Sequence, residues 1–223
     1  MPQPSQIVLE PRKSPVQARS TASVDAILEA VLQVLVQVGK QRLTTTKVAS
    51  RAGVSVGTLY QYFPNKSALL QAALKRHLNE VTEAVELVCR EQRGGAPRTM
   101  VTALVTAFLE AKMRSPNASA ALYSVSSDLD AAAIVKDMGT RSNKAIVGML
   151  ASSSEPLTSN PQILASMIQG TITGVSRRIL ESDSPERQFE SLRQELIFAA
   201  CAYIDACSMR VRAERSLLSA NPA

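Results

Sequence analysis

The side chains best suited to chemistry in this 223-residue chain crowd into one stretch, Leu43 to Leu70. Thr45, Thr46, Lys47, Ser55, Thr58, Tyr60, Gln61, Tyr62 and Lys66 all fall there. None is a nucleophile or base without an activating partner. Hydroxyl, phenol, amide and ammonium groups instead suit hydrogen bonding to phosphate oxygens and base edges. The charge distribution agrees. Residues 1–66 carry eight Lys or Arg against three acidic residues, whereas the remaining 157 carry seventeen against sixteen. Of the net charge of +6, +5 therefore sits in the first third, where it suits a polyanion whose counterions are released on binding.

Elsewhere the sequence argues against catalysis. His77 is the single histidine, so there is no histidine pair for a metal and no histidine-based triad. Its place on a long helical segment reads as surface or packing. Cys89, Cys201 and Cys207 lack metal-ligand spacing and read as small buried hydrophobes in a reducing compartment, which places the protein in the cytoplasm. Gly94-Gly95 has neither the following Lys-Ser/Thr nor the preceding strand of a phosphate loop. The expectation is no enzyme, no cofactor and no metal. No uninterrupted apolar run reaches the roughly 18 residues of a membrane span, and the N-terminus has no apolar signal core, so no membrane partner is expected.

The elements that must position the polar cluster read as helices throughout. Residues 1–22, rich in Pro, Ser, Gln and Arg, read as a flexible basic arm. From Ser23 a helical stripe appears in Ile27, Val31, Leu35 and Val38, with Gly39 as its stop. Two short helices follow, one to Ala52 with Thr44, Thr45 or Thr46 as cap, and one from Ser55 to about Phe63, closed by Pro64. Asn65 is the expected cap of a long helix to about Arg93. Further helices are expected near 98–114, 118–126, 129–152, 161–181 and 185–211, with a frayed tail over 214–223. Period-2 runs are missing, so the fold class is all-α. The domain expectation is a basic head over 23–70 and a larger helical domain over 71–213.

The two short helices cannot bury much alone. Val48, Ala52, Val54, Leu59 and Phe63 offer a shared face, and Ala49 allows close crossing. Gly53 can take the positive φ of a sharp interhelical turn. This is the logic of a helix-turn-helix, whose second helix enters the major groove. Aromatic residues are scarce, eight Phe and Tyr in all, yet Tyr60, Tyr62 and Phe63 lie within four positions. Residues 60 and 62 of one helix point about 200° apart, so at least one phenol faces outward, near Lys47, Arg51 and Lys66.

On these residues the stretch resembles the DNA-binding domain of the TetR family of bacterial repressors. The matching pieces are Thr45, Val48-Ala49, Ala52-Gly53-Val54-Ser55, Gly57-Thr58-Leu59-Tyr60, Tyr62-Phe63, Lys66 and Leu69-Leu70. The resemblance covers about residues 19–75. It implies that Thr45 caps the second helix against a phosphate and that Ser55 caps the recognition helix. It further implies that Val56, Gly57 and Thr58 face the groove, that Tyr60, Gln61 and Tyr62 reach backbone or base edges, and that Lys66 clamps a phosphate. Thr46 and Lys47 complete the expected DNA-binding set. Side-chain chemistry narrows these roles: Gly57 can only admit close backbone approach, Val56 suits a thymine methyl, and Gln61 can bond an adenine edge bidentately. Few direct base contacts are expected, with much of the specificity in DNA shape. The partner is a double-stranded operator with an inverted repeat.

The C-terminal two thirds are less specific. Stripes in 161–181 (Ile163, Leu164, Met167, Ile168, Ile172, Val175, Ile179) and 185–211 (Phe189, Leu192, Leu196, Ala199, Ala200, Tyr203, Cys207) suit a four-helix homodimer interface. Gly170 and Gly174 allow close approach there. An apolar pocket for an unknown small-molecule effector is expected around Leu104, Phe108, Met113, Tyr123, Met138, Met149 and Met167, its methionines making it adaptable. The expected function is a transcriptional repressor released by a small apolar or amphipathic effector. The alternative keeps the DNA-binding head and gives the C-terminal half a protein partner. An interior cavity separates the first from the second.

Overall fold

The computed structural model describes residues 15–126, 131–182 and 184–219. Among them the regular elements are all helical: α1 (Pro15–Arg42), α2 (Thr45–Ala52), α3 (Val56–Tyr62), α4 (Lys66–Glu91), α5 (Pro97–Met113), α6 (Pro116–Ser126), α7 (Ala132–Leu150), α8 (Pro161–Leu180) and α9 (Pro185–Ser219). The chain divides into two compact units, the first ending at Ala73 and the second starting at Leu74.

In the first unit, α1 and α2 pack together and α3 follows on α2. Ile27, Val31 and Leu35 of α1 are buried, as are Leu43, Val48, Ala49, Leu59, Leu69 and Leu70. Spacings of four and eight put the α1 residues on one face, and that face is the core. Gly39 breaks α1 with φ 74°, and the N–H of Leu43 closes the turn on the Gly39 carbonyl at 3.1 Å. Two lysine ammoniums finish the helix: Lys66 Nζ donates to the Lys40 carbonyl at 2.7 Å and Lys47 Nζ to that of Arg42 at 3.0 Å. Carbonyls left over at a helix C-terminus are negative dipole ends, which cations satisfy.

The start of α1 and the end of α9 differ from expectation. Helix α1 begins at Pro15, so residues 15–22 are not arm; residues 1–14 lie outside the described residues. Proline at a first helical position loses no hydrogen bond, and Val16-Gln17-Ala18-Arg19 contains no breaker. Helix α9 likewise continues through the expected frayed segment to Ser219. Residues 20–42 of α1 are also long and apolar enough to cross a membrane by length and mean hydropathy of 1.5. Helix boundaries, not uninterrupted runs, reveal this, because Asp25 and Glu29 interrupt it. Its buried stripe packs inside the first unit.

In the second unit α5 packs on α9, α7 on α8, and α8 on α9. The core holds Met100, Leu104, Leu109, Ile146, Met149, Leu164, Ile172 and Ile204. The stripes expected at a dimer interface are largely spent here: Leu164, Ile168, Ile172, Ile179, Leu196 and Cys207 are all buried within the chain itself. Part of the expected set stays open: on α8 Ile163 at 59% exposure and Met167 at 54%, with Gly170 and Gly174, while on α9 Phe198 at 71% and Ala202, outside the expected stripe, are exposed. Beyond the local helix backbone and the flanking residues, no described atom lies within 4 Å of where a Cβ on Gly170 or Gly174 would stand.

Candidate nucleic-acid interface and a cavity in the second unit

Local hydrogen bonds build the helix-turn-helix. The cap of α2 is Thr44, not Thr45: its hydroxyl accepts from the Lys47 N–H at 3.2 Å. Thr44 is the last extended residue, with φ −126° and ψ 153°, the backbone a cap requires. Thr45 is thereby the first helical residue, and its hydroxyl is free to meet Tyr60 Oη at 3.1 Å. Gly53 adopts φ 68°, ψ 27°, and its N–H reaches the Ser50 carbonyl at 3.3 Å while that of Val54 reaches Ala49 at 3.0 Å. This left-handed closure turns the chain sharply into α3. Ser55 caps α3, accepting from the Thr58 N–H at 2.9 Å, with the two hydroxyls 2.8 Å apart.

The two faces of α3 separate cleanly. Leu59 and the adjoining Phe63 point inward and are buried. Val56, Gly57, Tyr60 and Gln61, at i, i+1, i+4 and i+5, are exposed. Tyr60 is the outward phenol, 47% exposed, and Tyr62 is half-buried. Thr46, Lys47 and Ser55 are exposed; Thr45, Thr58 and Lys66 are half-buried. The tether between Tyr60 on α3 and Thr45 on α2 joins both short helices through their outward atoms. A second tether, Arg51 Nε donating to Gln33 Oε1 at 2.6 Å, holds α2 to α1. Together these contacts make a pre-set surface with hydroxyl, amide and phenol groups outward. Lys66, expected to clamp phosphate, spends one of its three protons on the Lys40 carbonyl and so stands at a fixed place.

The second unit contains a cavity of about 300 Å³. Of the residues expected to line it, Phe108, Tyr123 and Met138 do. Leu104 and Met149 are instead fully buried in the core, Met167 faces outward, and Met113 is half-buried away from the lining. Composition cannot tell a methionine that walls a void from one that fills the core. Leu74, Leu78, Val81, Leu122 and Val135 supply further apolar wall, and α4 contributes much of it.

The polar lining was missed at the sequence level. Lys112, His77 and Ser119 are all buried and all face the cavity. Lys112 Nζ stands 4.7 Å from the Tyr123 ring centre and 5.9 Å from that of Phe108. Ser119 has one proton, which it donates to the Lys112 carbonyl at 2.9 Å. The 3.1 Å contact between Ser119 Oγ and His77 Nε2 must then run from the imidazole, so His77 carries its proton on Nε2. Burial pushes the His77 pKa down to about 4, and the nearby Lys112 charge adds to this. His77 is neutral at pH 7, neither a surface residue nor an inert one. A signal was present in the sequence: Lys112 lies four residues beyond Phe108 and eight beyond Leu104, a cation on an otherwise apolar stripe. A hydrogen-bond relay closes one side, from Asn143 Nδ2 to Gln169 Oε1 at 2.9 Å and from Gln169 Nε2 to the Gly139 carbonyl at 2.9 Å. Arg177, also on the lining, is exposed and paired with Glu181 at 2.7 Å.

Comparison with known proteins agrees with this division. Residues 27–73 match the family described as bacterial regulatory proteins, tetR family, and residues 97–204 match the tetracyclin repressor-like C-terminal domain. The nucleoid occlusion factor SlmA of Haemophilus ducreyi is 32% identical over 99 residues, 42% of this chain and 48% of that protein. The HTH-type transcriptional repressor KstR of Mycolicibacterium smegmatis is 34% identical over 90 residues, 40% of this chain and 43% of that protein. The chain thus spans about half the length of the curated relatives it matches. A crystal structure of a transcriptional regulator from Cytophaga hutchinsonii superposes with a TM-score of 0.68 over 84% of this chain and 99% of that one, at 18% identity, which is likeness of fold.

Proposed function

The chain belongs to the TetR family of bacterial regulators, and from that premise we propose that it is a homodimeric transcriptional repressor which a small amphipathic effector releases from an inverted-repeat operator. The observation that carries the DNA-binding half is the outward face of α3, Val56, Gly57, Tyr60 and Gln61, held by caps and tethers on a buried Leu59–Phe63 base. Thr45, Thr46, Lys47, Ser55, Tyr62 and Lys66 surround it as backbone contacts, and Thr58 faces the groove beside Val56 and Gly57.

Dimerisation supports the symmetry of the operator, since two recognition helices reach successive major grooves about 34 Å apart. The open face of Ile163, Met167, Gly170, Gly174 and Phe198 is the surface that a second copy would cover. The cavity, half open but walled mainly by apolar side chains, supports an effector over a protein partner for the second unit. Its wall includes Leu74, His77, Leu78 and Val81 of α4, the helix that begins at Lys66 in the head. A ligand there changes DNA affinity only by binding one dimer geometry better than another.

The test is selection of duplexes from a random pool by the full chain, followed by anisotropy titration over a salt series. The expected result is a twofold-symmetric site with half-sites one turn apart and affinity falling steeply with salt. Failure to bind any duplex in dilute buffer overturns the reading.

A further inference from the structure

We infer that the cavity of the second unit takes a carboxylate-bearing amphipath, with the carboxylate on the Lys112 ammonium and the apolar body among the side chains of α4 and α7. The inference rests on the effector reading above and specifies its chemistry.

Lys112 is 4% exposed, lines the cavity, and pairs with no carboxylate among the described residues. Its contacts are the faces of Tyr123 and Phe108. Ring faces attract a cation but accept no hydrogen bond of ordinary strength, so among the described residues no protein oxygen meets the three N–H donors, and since no fully buried side-chain nitrogen is left unpartnered the ammonium itself opens onto the cavity. Buried charges are ordinarily paired, and a lone one aimed into a void marks where an anion belongs. The rings on two sides leave the cavity side of the ammonium for that anion.

The neighbours sharpen the choice. His77 is neutral at pH 7 and donates to Ser119, so it adds no second charge. Arg177 is neutralised by Glu181. One buried cation fits one negative charge, which favours a carboxylate over a phosphate ester. Leu74, Leu78, Val81, Leu122, Val135 and Met138 then face the rest of the ligand. A cavity of about 300 Å³ has room for on the order of ten waters, the bulk of a chain or arene of about a dozen non-hydrogen atoms. An apolar cavity with few convergent polar groups is the ordinary form of such a site.

The experiment is calorimetric titration of the full chain with decanoate, decan-1-ol and decylammonium, and with 4-phenylbutanoate as an arene-bearing carboxylate. The wild type is expected to bind decanoate at least tenfold more tightly than decan-1-ol, and decylammonium most weakly. In Lys112→Met, which keeps the apolar stem, this preference should vanish while decan-1-ol still binds. An alcohol that matches decanoate in the wild type overturns the assignment, as does a preference that survives in Lys112→Met, or binding of neither carboxylate. If Lys112→Met does not fold, the wild-type series decides alone. Release of operator DNA is read separately. Carboxylates that bind without releasing DNA uphold this site and remove the effector role; release by a neutral compound with no carboxylate preference does the reverse.

Discussion

His77 offers the sharpest quantitative test of the second unit. Its pKa is held near 4 against an ordinary 6.5 by burial and the Lys112 charge. Between those values the unfolded chain binds a proton that the folded chain refuses. Stability is therefore complete above about pH 6.5, falls as the pH drops toward 4, and loses nothing further from this residue below that. Each pKa unit is worth about 1.4 kcal/mol, so the gap corresponds to about 3 kcal/mol. The perturbation is His77→Gln, whose amide N–H can still donate toward Ser119 Oγ but does not titrate. Denaturant unfolding of both proteins at pH 7.5, 6.5, 5.5 and 4.5 isolates the effect, because every other group cancels in the difference. The wild type should lose about 2–3 kcal/mol relative to the variant between the first and last points. Parallel stability curves would refute the reasoning, showing that His77 is solvated or that its proton sits elsewhere.

Other residues give further checks. Gly57→Ala has room for its Cβ, the nearest atom being Ser55 Oγ at 3.7 Å, and should stabilise the head by up to about 0.5–1 kcal/mol. The same methyl stands between α3 and a groove, so operator affinity should fall about tenfold or more; a rise in both would show that α3 does not face DNA. Lys66→Ala should weaken binding to specific and random duplexes alike, and should also lower stability by about 1–2 kcal/mol because the charged hydrogen bond from Lys66 Nζ to the Lys40 carbonyl is lost. Thermal unfolding beside anisotropy on both duplexes checks this. Phe198→Asp should raise the dimer dissociation constant at least a hundredfold, since two copies of a residue worth about 2 kcal/mol on burial are lost. Sedimentation at micromolar concentration reads it, and an unchanged dimer would move the interface elsewhere.

Much of the head was legible because its determinants are local. A cap bonds a group two or three residues away, a left-handed glycine closes its own turn, and a stripe at four-residue spacing names its buried face. Ser55, Gly53, Leu59 and Asn65 each act within a few positions of themselves. The cap of α2, Thr44 in place of Thr45, was less legible because three consecutive threonines differ only in backbone angle.

The second unit shows where such reading stops. Periodicity reveals that a helix has an apolar side, not which neighbour that side meets. The stripe of Leu164, Ile168 and Ile172 and the open face of Ile163 and Met167 lie on one helix, and only the packing of α7, α8 and α9 assigns one to the core and the other to solvent. The Ser119, His77 and Lys112 cluster is of the same kind. Its members are as much as 42 residues apart, on three helices, and no local rule relates them. Sequence alone determined the all-helical class and the helix-turn-helix, since hydrogen bonds and caps there span single turns. Tertiary structure alone decided the cavity, its buried cation and the open face, because those are properties of the space between helices.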